Sequence, residues 1–243
     1  CDLALFSAGA AVSREFGPCA ARGGAVVIDN SSAFRMDADV PLVVPEVNAA
    51  AAFQHKGILA NPNCSTIILA VVLWPLHRVN PIGRAVVATY QAASGAGARA
   101  MQELLDQTRL ALDGKPLTPE VFAHRIAFNL IPQIDVFQEN GYTKEERKML
   151  HESRKMLHHP DLRVSCTCVR VPVLRAHSEA LNLEFEQPVT PEEARALLAS
   201  APGVKVVDVP TPLEAAGADD SQVGRIRQDQ SAEGNKGLSL VVS

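Results

Sequence analysis

Apolar positions fall first in short blocks and later in longer alternating runs, and the change of texture comes near residue 63. Leu3 to Phe6 is an apolar run that stops at Ser7-Ala8-Gly9, and a helical periodicity follows from Ala10 to Ala21. Ala25 to Ile28 and Leu42 to Val44 repeat the strand signal, and Ile58 to Ala60 leads through Asn61-Pro62-Asn63 into a helix from Cys64 to about Arg78. This alternation predicts the later part of a parallel α/β sheet. Beyond it, Arg84 to Gln91, Arg163 to Val173 and Ala180 to Glu186 are rich in β-branched or alternating residues and predict longer strands. Helices are predicted at Ala98 to Leu112, Lys144 to His158 and Pro191 to Ser200, the last two opened by Thr143 and Thr190 as N-caps. Glu146 completes a capping box with Thr143. Asp208 to Lys236, poor in apolar residues and holding Pro210 and Pro212, predicts a surface excursion before a last strand, Leu238 to Val242.

The expected fold class is therefore α/β: the remainder of a Rossmann-like parallel sheet over residues 1–63, then an α+β mixed-sheet domain with covering helices over residues 64–243. Composition agrees with a globular chain, with 47% apolar and 21% charged residues among 243. A net charge of −4 without a basic stripe argues against nucleic acid as a partner. The longest apolar stretch, Ile67 to Leu76, is about half a bilayer span, so no membrane association is expected. Five cysteines without framework spacing point to reduced thiols and a cytoplasmic setting, and Cys166 and Cys168, on one face of a strand, read as core without zinc-ligand spacing.

One thiol stands apart. Pro62 and Asn63 end a strand and place Cys64 in the first turn of an apolar helix, where unpaired backbone N–H groups and the helix dipole favour thiolate. His177 follows a strand that Pro172 marks as an edge or a bend, and Arg170 lies seven residues before it on the same predicted strand. Glu145 and Lys148, three apart in a helical first turn, fit an ordinary surface ion pair as well as a binding role.

Asn61-Pro62-Asn63-Cys64-Ser65-Thr66 resembles the nucleophile segment of the aspartate-semialdehyde dehydrogenases. The likeness extends through Phe6 to Gly9, Asp29 to Arg35, Tyr90 to Gly97, Ile131 to Asp135, Arg170 to Val173 and His177-Ser178. N-acetyl-glutamyl-phosphate reductases resemble it less, having Gly before the cysteine and an aromatic after it. The resemblance implies an NADP-dependent oxidoreductase. It would reduce aspartyl phosphate to aspartate semialdehyde through a cysteine thioester, as a homodimer on the route to lysine, threonine and methionine. It assigns Cys64 as nucleophile, His177 as acid/base and Gln91 as the residue orienting the acyl group. Arg170 would hold the α-carboxylate and Glu145 the amino group, with Asn63 beside them, while Arg35 and Lys148 would grip phosphate. Ser7, Ala8 and Gly9, with Ser94 and Gly95, would meet the cofactor. The family's opening Gly-x-x-Gly-x-x-Gly turn and its C-terminal helix have no counterpart here, which suggests a chain truncated at both ends. Two other readings stay open: the glutamyl-phosphate enzyme and a non-catalytic assembly subunit.

Overall fold

A computed structural model describes residues 1–243. Strand β1 (Leu3–Phe6) runs into helix α1 (Ala10–Arg22), and β2 (Val26–Asp29) returns parallel beside β1. A short helix α2 (Pro45–Asn48) precedes β3 (Ile58–Ala60), which completes a three-stranded parallel sheet in the order β1-β2-β3. Leu42 to Val44 is not a strand: it makes a single parallel bridge, Leu42 to Ala60, because the Asn48 side chain takes the N–H of Val44 and the carbonyl of Leu42.

Helix α3 (Cys64–His77) then leads to the second sheet, built from β4 (Ile82–Gln91), β5 (Arg163–Arg170) and β6 (Ser178–Phe185), with β7 (Val204–Val206), β8 (Ser221–Gln228) and β9 (Gly237–Val242). Between β4 and β5 lie α4 (Ala98–Leu112) and α5 (Lys144–Met156), and α6 (Pro191–Ala199) follows β6. The strand order is β5-β4-β6-β9-β8-β7, parallel at β4/β5 and β7/β8 and antiparallel elsewhere, so the sheet is mixed as expected. Thr143 and Thr190 both head capping boxes, with Glu146 and Glu193 reaching back to the N-cap N–H. The second carboxylate oxygen of Glu146 also accepts from the backbone N–H of Cys168, tying α5 to β5.

The expected surface excursion over Asp208 to Lys236 is overturned. Its middle is β8, paired to β9 and β7 inside the sheet. A bulge between Gly224 and Arg227, with Arg225 at φ 54, breaks the alternation that would have marked it as a strand. Strand β5 also stops at Arg170, so His177 is not on the same strand: it immediately precedes β6, and β5 and β6 are both neighbours of β4.

Helices α3, α5 and α6 cover one face of the six-stranded sheet, and their apolar residues join one core of 32 buried residues that also takes in Leu42, Val44 and Val47. Cys166 and Cys168 belong to it. On the opposite face Arg163, Ser165, Thr167 and Tyr90 stand exposed. No helix of the chain is long and apolar enough to cross a membrane.

Candidate active site

Strand register carries the first residues to one place. Gln91 ends β4 and pairs in register with Arg170 at the end of β5, while Tyr90 pairs with Ser178 at the start of β6, the residue after His177. Three side chains thus emerge from one end of the sheet, and the N-terminus of α3 meets them. A cleft of about 680 Å³ there is lined by Cys64, Gln91, Arg170, His177, Glu145 and Lys148. Arg35, Asn63 and Asp135 complete its polar wall.

Asn63 organises the nucleophile turn. Its Oδ1 accepts from the backbone N–H groups of Ser65 (3.0 Å) and Thr66 (3.3 Å), an N-cap worth about 1 kcal/mol. Its Nδ2 donates to Glu145 at 2.9 Å. The expected helix terminus is therefore not free: the N–H groups of Ser65 and Thr66 both serve the cap, although that of Ser65 still lowers the thiol. Cys64 is exposed to the cleft, and its thiol lies above the ordinary cysteine range. Desolvation is the main cause and the Glu145 carboxylate the next, outweighing hydrogen bonds from Ser65 and the charge of Arg170. Burial and Glu145 thus favour the thiol over the thiolate.

Glu145 and Lys148 are not an ordinary surface pair. Glu145 is buried, and Lys148 Nζ reaches both its Oε2 and Asp135 Oδ2 at 3.0 Å. Burial pushes the Glu145 carboxyl up, but Lys148 and the hydrogen bonds from Asn63 and Gln91 prevail and hold it below the usual range. Gln91 is buried, with Nε2 donating to Ser65 Oγ and, at 3.3 Å, to Glu145.

Two members of the network escaped sequence reasoning. Glu152 accepts from Arg35 Nη1 at 3.2 Å and from the backbone N–H of Asn63 at 2.6 Å, so one carboxylate joins the Arg35 loop to the nucleophile turn. Burial raises this carboxyl despite Arg35. Lys155 donates to the carbonyls of Arg35, Asp37 and Val40, fixing that loop. Glu145, Lys148, Glu152 and Lys155 fall at helical spacings of three, seven and ten, and that stripe was the available signal. Arg35 Nε and Nη2 donate to the carbonyls of Asn61 and Asn30, leaving two of its five N–H groups for a ligand.

Arg170 donates from Nη1 to the carbonyl of Ala92 at 2.6 Å, and the N–H of Ala92 donates to His177 Nδ1 at 2.9 Å. Burial first, then the charge of Arg170, lowers His177 to about 4, with Glu145 opposing. Its ring is neutral at physiological pH.

The expected cofactor residues divide. Gly9 lines the cleft at the carboxyl end of β1, at φ 93 with open space where a Cβ would stand, so a ligand can approach its backbone closely. Asn30, Ser31 and Ser32, after β2, line the same wall, and this parallel-strand crevice fits a dinucleotide. Ser7 and Ala8 are exposed and outside that lining. Ser94 lines a second hollow of about 430 Å³, which shares Cys64, Gly95 and His177 with the first. Cys64 therefore stands between two cavities.

A family model described as the semialdehyde dehydrogenase NAD-binding domain matches residues 1–55, and one described as the semialdehyde dehydrogenase dimerisation domain matches residues 73–243. The aspartate-semialdehyde dehydrogenase of Aquifex aeolicus is 53% identical over 250 residues, covering 99% of this chain and 73% of its own length. That of Synechocystis is 53% identical over 237 residues, covering 95% and 70%. Among solved structures, aspartate semialdehyde dehydrogenase II of Vibrio cholerae in complex with ASA superposes with a TM-score of 0.97 at 45% identity, covering 99% of this chain and 73% of that one.

Proposed function

The chain belongs to the aspartate-semialdehyde dehydrogenase family, and we propose that it reduces L-aspartyl 4-phosphate to L-aspartate 4-semialdehyde through a thioester on Cys64. One observation carries the reading: a thiol lies between a cleft with separate anion-binding and cation-binding groups and a second hollow on its other side. The free N–H groups of Arg35, with Lys148, suit the phosphate. Arg170 suits the α-carboxylate, Glu145 suits the ammonium, and Gln91 steadies the acyl group from the end of β4. Held by these contacts, the acyl carbon meets Cys64 at close range, and such positioning is worth several kcal/mol of barrier.

A nicotinamide cofactor supplies the hydride when bound. Gly9 and the residues after β2 would hold it, and Ser94 and Gly95 would face its reactive end. NADP is proposed as the form used, as the sequence resemblance implies. Residues 1–63 would then serve the cofactor, and residues 64–243 the chemistry and dimerisation. The family is dimeric through its second domain, and the uncovered face of the six-stranded sheet, with Tyr90, Ser165 and Thr167, suits the homodimer contact.

The test is turnover by the complete enzyme with aspartyl phosphate and with N-acetyl-glutamyl phosphate, each with NADPH and with NADH. Preference for the glutamyl substrate would reassign the enzyme. Failure on both would favour an assembly subunit.

A further inference from the structure

The two cations that suit the phosphate come from different sheets of the molecule. Lys148 stands on α5, while Arg35 lies in the loop after β2. A phosphoryl group can bridge them only if their separation is fixed, and α5 supplies the means. Lys148, Glu152 and Lys155, at spacings of four and three, share one face of that helix. Glu152 Oε1 accepts from Arg35 Nη1 at 3.2 Å, and Lys155 Nζ donates to the backbone carbonyl of the same arginine at 2.8 Å. Arg35 is thus held at both ends by the helix that carries Lys148. Its Nε and Nη2 are committed to the carbonyls of Asn61 and Asn30 at 2.8 and 3.0 Å, so one N–H on each terminal nitrogen remains for the cleft. Glu152 does not line that cleft, and its side chain is 2% exposed. Its Oε2 accepts the N–H of Asn63, the residue before Cys64, at 2.6 Å.

We propose that Glu152 is a positioning residue of the phosphate seat, which aims the Arg35 fork relative to Lys148 and to the Cys64 turn without touching the ligand. The inference rests on the aspartyl-phosphate reading above. A simpler role, that of counter-charge to a buried arginine, makes the opposite forecast. A negative group that only neutralised Arg35 would weaken its pull on an anion, and removing it would tighten phosphate binding. A group that aims the fork does the reverse. The geometry favours aiming. Neutralisation is best served by a two-pronged pair, yet Glu152 reaches Arg35 with one oxygen and spends the other on a backbone N–H of the nucleophile turn.

Both groups that face Glu152 can only donate, and a carboxylate, which only accepts, matches them. In Glu152→Gln the amide oxygen can satisfy one of the two. The Asn63 N–H is fixed in the capped turn, whereas the guanidinium can swing, so the oxygen stays with Asn63 and the amide NH₂ faces Arg35 Nη1. Two donors then oppose each other and the fork turns away from the cleft. A lost charge-assisted hydrogen bond of this kind corresponds to roughly tenfold to a hundredfold in affinity.

Calorimetric titration of inorganic phosphate into the complete enzyme, unsubstituted and as Glu152→Gln, decides the sign. The Kd should rise about tenfold or more in the variant. An unchanged Kd overturns the proposal, and a lowered one overturns it in favour of the counter-charge. Kinetics in the oxidative direction should show the same split, with the KM for phosphate raised about tenfold and that for semialdehyde within about twofold of the parent. A parallel rise in both would make Glu152 a general support of the fold and overturn the proposal. Should the amide variant fail to fold, Glu152→Asp keeps the buried charge but shortens its reach, and the longer bond, to Arg35, is lost first. Phosphate affinity must fall there too, and a parent-like Kd overturns the proposal. Phosphate-dependent oxidation of the semialdehyde by the unsubstituted enzyme is the control for the aspartyl-phosphate reading: its absence removes that reading, while the phosphate titrations still decide whether Glu152 aims Arg35.

Discussion

Gly95→Ala is the smallest change that probes the site from its most crowded point. An ideal Cβ on Gly95 would stand 3.0 Å from both Cε1 and Nε2 of His177 and 3.2 Å from Nη1 of Arg170, where ordinary contact begins at 3.4 Å. The backbone is not the obstacle, since Gly95 is not among the residues at positive φ. The methyl must instead displace the imidazole, the guanidinium or both by roughly half an ångström, and each is held by the peptide of Ala92. Overpacking at the cleft wall should cost only about 1 kcal/mol of stability. A misplacement of this order at the reacting groups should lower kcat/KM about 10²-fold, or about 2.7 kcal/mol of transition-state stabilisation. The assay is steady-state kinetics in the oxidative direction, with semialdehyde, phosphate and cofactor varied in turn, beside a thermal melt. The loss should appear against the semialdehyde. A rise confined to the KM for cofactor, with kcat intact, would refute the steric argument and return Gly95 to the cofactor role expected from the sequence.

Arg170→Lys keeps the charge but loses the planar fork that can serve Ala92 and a carboxylate together. It should therefore reduce kcat/KM for semialdehyde by about tenfold or more with little change in Tm; unchanged kinetics would remove Arg170 from the substrate. Lys148→Ala should raise the KM for phosphate more than that for aldehyde, and equal rises would mean that Lys148 serves only to hold Glu145 and Asp135. Glu179 is wholly buried with neither carboxylate oxygen partnered, and burial raises its carboxyl well above the usual range. A carboxyl raised in the fold keeps a proton that the unfolded chain releases. The stability it confers is complete below the ordinary carboxylate range and is lost as pH climbs toward the raised value, by up to about 1.4 kcal/mol per pH unit. Glu179→Gln should thus melt like the parent near about pH 4 and gain on it steadily above about pH 5; parallel Tm curves would defeat this account.

What the sequence made legible, and what it did not, follows the range of the forces involved. The first strand, turn and helix, the helix Ala98–Leu112 and both threonine caps are local features, readable from periodicity and capping chemistry alone. Strand β8 was not, because its burial depends on pairing with β7 and β9 across a bulge that scrambles the alternation. Arg170 and His177 could be chosen, yet their relation could not: they meet through β4, which lies far from both in sequence. Cys64 shows the limit most clearly. A helix terminus argues for a thiolate, and that argument holds only while the terminal N–H groups are free. Asn63 occupies two of them with its own oxygen and directs its amide at Glu145, whose charge then disfavours ionisation of the sulfur. The residue that caps the helix is thus also the one that couples the thiol to a carboxylate 81 positions away along the chain. A local rule read at Cys64 could not include that carboxylate, so it pointed toward thiolate where burial and Glu145 together raise the thiol.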